Sequence, residues 1–191
     1  MAYAPWKTFG ERTYMDYIAH YASPLGGITL ASDGSALTGL WFDGQKHFGE
    51  TLRKPFEEKA LPVFAQTSEW LDVYFSGKAP DFTPKIVLRT SEFRRLVCEI
   101  MLLIPFGKAV TYGQIAALVA EKKGLPHMSA QAVGGAVSHN PISLIIPCHR
   151  VVGSDGSLTG YAAGIDKKIR LLSMEGMDVT APAGLGKSIL L

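Results

Sequence analysis

Ile146-Pro147-Cys148-His149-Arg150-Val151 sets a thiol beside an imidazole. A thiol is a poor nucleophile until it loses its proton, and a neighbouring imidazole is the usual group to take it. The apolar run Leu144-Ile145-Ile146 just before the pair predicts a buried strand or strand-like segment. Pro147 fixes its φ at about −65° and gives up an N–H, so a thiol placed after it is held at a set angle. By itself the pair supports two readings. One is an activated nucleophile; the other is a buried structural thiol with an incidental histidine, because free cysteine is among the most buried residue types. The second cysteine, Cys98, falls in a helix-like apolar stretch and reads as a core thiol.

The elements that must position Cys148 come in two groups. Residues 13–50 have strand character. Residues 14–21 are aromatic and apolar, and residues 27–31 and 36–42 flank Ser32-Asp33-Gly34-Ser35, a hairpin signal. Residues 55–77 read as helical, with Phe64, Trp70, Leu71, Tyr74 and Phe75 near helical spacing and Gly77 as the stop. Residues 78–84, with two prolines, read as a linker. The second half reads as helices. Ser91 caps the first, which Pro105-Phe106-Gly107 ends. Thr111-Tyr112-Gly113-Gln114 is a capping box opening a helix through about Val119. Ser129 caps another over residues 130–139, closed by Asn140-Pro141, and residues 166–174 form the last, stopped by Gly176. Helix, turn and short glycine-bearing helix together outline a helix-turn-helix. Residues 178–191 fit either a segment packed back on the body or a loose end.

A chain of 191 residues holds one domain or two small ones. We expect two: 1–84, a small α/β unit with linker, and 85–191. Two cysteines make no disulfide framework, and no Cys-x-x-Cys metal spacing exists. No metal or cofactor is expected, and a reducing cytoplasmic setting fits. No stretch approaches a membrane span or a signal-peptide core. The net charge of +2 hides an asymmetry: residues 1–84 carry 7 Lys/Arg against 10 Asp/Glu, whereas residues 85–191 carry 12 against 7. The half with the Cys-His pair is basic, which suits a polyanion.

Around the pair stand Ala132-Val133-Gly134-Gly135-Ala136-Val137-Ser138-His139-Asn140-Pro141 upstream, then Val151-Val152-Gly153, Gly160-Tyr161, residues 167–172 and Glu175-Gly176 downstream. This string resembles the O6-alkylguanine-DNA alkyltransferases over roughly residues 90–177. The resemblance implies a ribonuclease-H-like N-terminal α/β domain with a small sheet and a mainly helical C-terminal domain. It implies stoichiometric transfer of an alkyl group from O6 of guanine in DNA to Cys148, with O4 of thymine a second candidate donor, and a monomer that acts once. His149, through a water, and Glu175, 27 residues after Cys148, complete the activating relay. Asn140 ties the turn between recognition helix and active-site segment, or simply stops the helix; both fit together. By the same resemblance, Tyr112 is expected to serve the flipped base as hydrogen donor, and Tyr161 to line the base pocket beside Ala162. Gly134, Gly135 and Ala136 let the helix backbone approach the minor groove, and Val151 joins the base-contacting set. Arg150 is either structural or a phosphate contact.

Three departures from the family pattern stand out. Gln131 replaces the usual arginine that fills the gap left by the flipped base, 17 residues before Cys148. Glu121-Lys122-Lys123 lengthens the turn before it. Ala162-Ala163 replaces a Ser/Ala-Gly-Gly segment. Two other functions compete with alkyl transfer. Alkyltransferase-like proteins sense alkylated bases in DNA but carry tryptophan in place of the cysteine, and a Cys-His hydrolase would need no basic helix-turn-helix. Partner DNA is double- or single-stranded, with no membrane.

Overall fold

The structure, a computed structural model, describes residues 15–180. Its first layer is a four-stranded sheet in the order β3-β2-β1-β4. Strands β1 (Asp16–Ser23), β2 (Gly26–Ser32) and β3 (Leu37–Phe42) form an antiparallel meander, and the short β4 (Phe56–Glu58) pairs parallel with β1. The hairpin read at Ser32 to Ser35 joins β2 to β3. The strand read from Tyr14 begins at Asp16; Tyr14 lies outside the described residues. Residues 55–61, expected to be helical, are instead β4 and its flanks. Helix α1 (Pro62–Phe75) starts at Pro62, which suits the first helical turn where its missing N–H costs nothing. Its Val63, Phe64, Trp70, Leu71 and Tyr74 are buried.

The second layer holds α2 (Glu92–Leu102), α3 (Tyr112–Lys123), α4 (Ala130–Ser138) and α5 (Ile165–Met174). Ser91 accepts a hydrogen bond from the Arg94 N–H, and both halves of the Thr111/Gln114 capping box are formed. Helix α3 passes the expected end at Val119 because Glu121-Lys122-Lys123 adds a turn of helix rather than lengthening the loop. Gly124, at φ +62°, closes it in the left-handed conformation. His139 stands just past α4 as its C-cap. Helices α3 and α4, joined by residues 124–129, form the expected helix-turn-helix.

The two layers are sewn together along the free edge of β3. Leu37 exchanges backbone hydrogen bonds with Lys85 and Val87, and Leu40 does the same with Pro141 and Ser143. A sheet edge left open is a template for aggregation, so this cover also protects the protein. It fixes the 141–143 turn, just before Cys148, on the sheet. Residues 144–146 are not a strand. Leu144 adopts φ +69°, and Ile146 N–H bonds back to the Ile142 carbonyl, so the apolar run is a wholly buried turn. Apolar composition reports burial, not strand geometry. A buried carboxylate–guanidinium pair, Asp16 with Arg89, adds a second tie between β1 and the segment leading into α2.

Candidate active site

Cys148 opens a 3-10 turn, Cys148–Arg150, which runs into β6 (Val151–Val152); β6 pairs parallel with β5 (Val110–Thr111) at the start of α3. The turn sits between the 141–147 segment and the end of α5. Asn140 holds the thiol side. Its Nδ2 donates to the Ile146 carbonyl at 2.7 Å and to Cys148 Sγ at 3.1 Å, and its Oδ1 accepts from the Ile142 N–H at 3.1 Å. The amide thus ties the turn at the helix exit to the active-site segment, and its contact with the sulfur is one the sequence did not suggest.

The other side is organised by Glu175, the C-cap of α5. Its Oε1 accepts from His149 Nε2 at 2.7 Å, Arg150 NH2 at 3.0 Å and Tyr74 OH at 2.8 Å. Its Oε2 accepts from Arg150 Nε at 2.9 Å and the Gly107 N–H at 3.0 Å. Arg150 NH1 also reaches the Ile104 carbonyl at 2.6 Å. Of the two alternatives open for Arg150, the structural one holds: it is buried and its guanidinium is spent inside the protein, not on a phosphate.

Burial pushes the Glu175 carboxyl up, but hydrogen bonds and charge from His149 and Arg150 outweigh it and hold it down at about 2. A carboxylate only accepts, so His149 Nε2 must carry the proton that points at it. Nδ1 is then the bare nitrogen, and it has no protein partner although fully buried. Burial lowers the His149 pKa, with the Arg150 and Lys168 charges adding to it against the pull of Glu175. Burial raises the Cys148 thiol, opposed by the Asn140 donor, the Lys168 charge and the backbone N–H groups of Cys148 and His149. The resting state is a neutral thiol beside a neutral imidazole with a free lone pair. The remaining cysteine, Cys98, is buried in α2 and pushed up to about 12, first by burial. It is the inert core thiol expected.

Tyr161 walls the site from the far side. Its ring centroid lies 6.4 Å from that of His149, and its hydroxyl is buried without a protein partner. Tyr112 OH donates to the Thr159 and Gly160 carbonyls at 3.3 Å each. Ala162 is half-buried, and its carbonyl accepts from the Lys46 N–H at 3.0 Å. On α4, Gln131 and Gly135 lie one turn apart on the exposed face, and Gly134 faces the Tyr112 ring. Ala136, expected on that same face, is buried in the core beside Val133 and Val137. The Val151 side chain, expected to meet the base, is also buried, and its carbonyl accepts from Lys168 Nζ at 2.6 Å.

Two residues of the site escaped the sequence reading. Tyr74, noted only as an apolar helix position, brings α1 of the sheet layer into the relay. Lys168 is fully buried, bonds the Val151 and Thr159 carbonyls, and is lowered to about 8 by burial, with Cys148 pulling the other way. Nothing in one sequence separates Lys168 from its neighbour Lys167, whose ammonium lies over the Phe42 ring.

A family model for the 6-O-methylguanine DNA methyltransferase DNA binding domain matches residues 92–177, and one for the ribonuclease-like domain of the same proteins matches residues 17–88. The chain belongs to the methylated-DNA–protein-cysteine methyltransferase family. A methyltransferase of that name from Mycolicibacterium paratuberculosis is 42% identical over 153 residues, 80% of this chain and 88% of its own. One from Methanosarcina acetivorans is 38% identical over 160 residues, covering 84% and 98%. The crystal structure of Mycobacterium tuberculosis OGT in complex with DNA superposes with a TM-score of 0.71 at 38% identity, covering 84% of this chain and 92% of that one.

The folded Glu175 pKa lies below its unfolded value, so the unfolded chain binds more protons between the two. Stability is therefore lost as pH falls from about 4.5 to about 2, by on the order of 3 kcal/mol. His149, also lowered, adds a loss of the same sign that begins as pH falls through its ordinary value of 6.5. Glu175→Gln leaves the Arg150 charge buried and unpaired, which costs about 3–5 kcal/mol at neutral pH. In urea unfolding across pH, the gap between wild type and Glu175→Gln is expected to shrink toward pH 2. A gap that stays constant over that range would show that Glu175 is not the buried carboxylate described.

Proposed function

We propose that this protein repairs alkylated DNA by direct reversal, moving a methyl group from O6 of guanine to Cys148. The observation that carries this reading is the buried Asn140–Cys148 and His149–Glu175 arrangement set directly behind an exposed helix-turn-helix face. The reaction is a displacement at carbon. The bond from Sγ to the methyl carbon forms as the bond from carbon to O6 breaks. The thiol proton leaves toward His149 Nδ1, and the departing guanine takes up a proton in exchange. Tyr112, which burial keeps protonated, steadies the departing base by donating a hydrogen bond, and the proton the base takes up is the one the thiol released, passed on from His149 through solvent. To reach the base, the Tyr112 hydroxyl must leave the Thr159 and Gly160 carbonyls. The thioether product is inert, so each molecule acts once and needs no cofactor.

Base rotation out of the stack makes O6 accessible, at a cost of about a few kcal/mol. The exposed α4 face, with Gln131 and Gly135, is where DNA docks in this reading, and the surplus of cations in residues 85–191 supplies phosphate attraction. The division into 1–84 and 85–191 assigns the relay's Tyr74 to one domain and its Cys148 to the other. A free acceptor thiol needs a reducing compartment, which supports the cytoplasm; among the described residues no helix is long and apolar enough to cross a membrane. A protein that only senses damage has no use for an activatable thiol, and a hydrolase would turn over.

Incubation with O6-methylguanine DNA is expected to add one methyl mass per protein, on the peptide holding Cys148 and not on that holding Cys98. Peptide mapping by mass spectrometry reads this directly. Methyl on Cys98, or more than one product per protein molecule, contradicts the assignment.

Gln131 yields a second expectation. An amide can fill the gap left by a flipped base and hydrogen-bond its partner, but it carries no charge and no stacking guanidinium face. Gln131→Arg is expected to raise the single-turnover rate on duplex DNA by on the order of 1 kcal/mol, the margin of a charge-assisted over a neutral hydrogen bond. Single-stranded DNA, with no orphaned partner, should gain less. Equal gains on both substrates would remove Gln131 from the gap-filling role.

A further inference from the structure

The loop after β3 meets the end of α4 through two histidines and a carboxylate. His47 and His139 face each other with ring centroids 3.8 Å apart and planes tilted by 32°. Glu50 Oε1 lies 2.5 Å from His47 Nδ1. One ligand atom from each of the three residues lies within 4.8 Å of the other two. We propose that His47, Glu50 and His139 form a binding site for a divalent transition-metal ion of the zinc type, which clamps the β3–β4 loop to the end of α4.

The protonation pattern favours this. His139 Nδ1 lies 2.8 Å from the Gly135 carbonyl, which can only accept, so Nδ1 carries the proton and Nε2 has the free lone pair. A ligating histidine nearly always donates its second ring N–H in this way, which fixes the tautomer and ring orientation. The proton that His47 shares with Glu50 occupies space that a cation would take, and metal binding displaces such protons. One shared cation would accept a lone pair from each imidazole and from the carboxylate.

The backbone and the surroundings agree with a site. His47 is held at φ +62°, a left-handed conformation unfavourable for a residue with a side chain and tolerated where the surroundings impose it. The loop is tied down on both sides: Gln45 Oε1 accepts from the Phe42 N–H and Ser143 Oγ, and Lys46 N–H donates to the Ala162 carbonyl. Arg89 and Arg94 line the same cleft, and Arg89 is paired with Asp16. Ligand nitrogens about 2 Å from a zinc ion stand about 3.4 Å apart, so rotation of these partly exposed side chains closes the remaining distance. Imidazole and carboxylate donors select zinc, cobalt, nickel or copper over magnesium or calcium, and the half-exposed setting leaves the fourth position to water. None of the three side chains bonds to the Cys148 relay, so the site is separate from the transfer chemistry.

The test uses the full chain, stripped by chelator and titrated with Co2+ and Zn2+. One equivalent is expected to bind, with visible cobalt absorption that lacks a thiolate charge-transfer band, and Zn2+ is expected to raise the Tm. His139→Gln and Glu50→Gln should each weaken binding by more than about tenfold. His20→Gln, in the exposed pair with Glu58, should change nothing. Glu50 lies on the surface loop, so that variant keeps the test valid if His139→Gln misfolds. Absence of binding, binding unchanged in Glu50→Gln, or a charge-transfer band abolished by Cys148→Ser would overturn the proposal; the last would place the metal on the acceptor thiol while leaving the alkyl-transfer reading intact.

Discussion

The carboxylate of Glu175 is the point on which the site depends. Donors from three parts of the chain converge on it: Tyr74 of α1, the Gly107 N–H after α2, and His149 and Arg150 of the 3-10 turn, all closing on the end of α5. A buried charge is expensive unless paired and fully hydrogen-bonded, and here every acceptor position is used. The arrangement is better understood as specifying geometry than as adding stability. It sets which His149 nitrogen carries a proton, and the other nitrogen is left bare next to the acceptor cysteine in sequence.

The same convergence explains why a repair protein of this size carries a sheet domain that has no side chain on the transfer reaction itself. Tyr74 reaches Glu175 from the sheet layer, and the free edge of β3 holds the 141–143 turn by backbone hydrogen bonds. Asn140 then passes that position on to the sulfur. Loosening the sheet would loosen both flanks of Cys148. On the opposite side, Lys168 and Tyr112 hold the 159–160 carbonyls by hydrogen bonds, and the Cys148 thiol is buried.

Much of this was legible in the sequence. The capping residues Ser91, Thr111 and Ser129 act locally, so their geometry followed from spacing alone. Of the motif residues, Asn140 contacts Cys148 and His149 contacts Glu175. Failures came where tertiary context overrides local signals. The run 144–146 is apolar because it is buried, and its backbone turns. Ala136 and Val151 sit in the right segments but point into the core. Tyr74 and Lys168 are joined to the site only by the fold, as are His47 and His139, which stand too far apart in sequence for any spacing rule to link them.

The central claim is that Glu175 fixes His149 as the neutral Nε2–H tautomer, with Nδ1 free to receive the Cys148 proton. Nitrogen NMR of histidine-labelled protein at neutral pH measures this most directly. The account requires a His149 ring with a protonated Nε2 and an unprotonated Nδ1, and it requires that pattern to be lost in Glu175→Gln. A doubly protonated ring, or a proton resident on Nδ1 in the wild type, would contradict it.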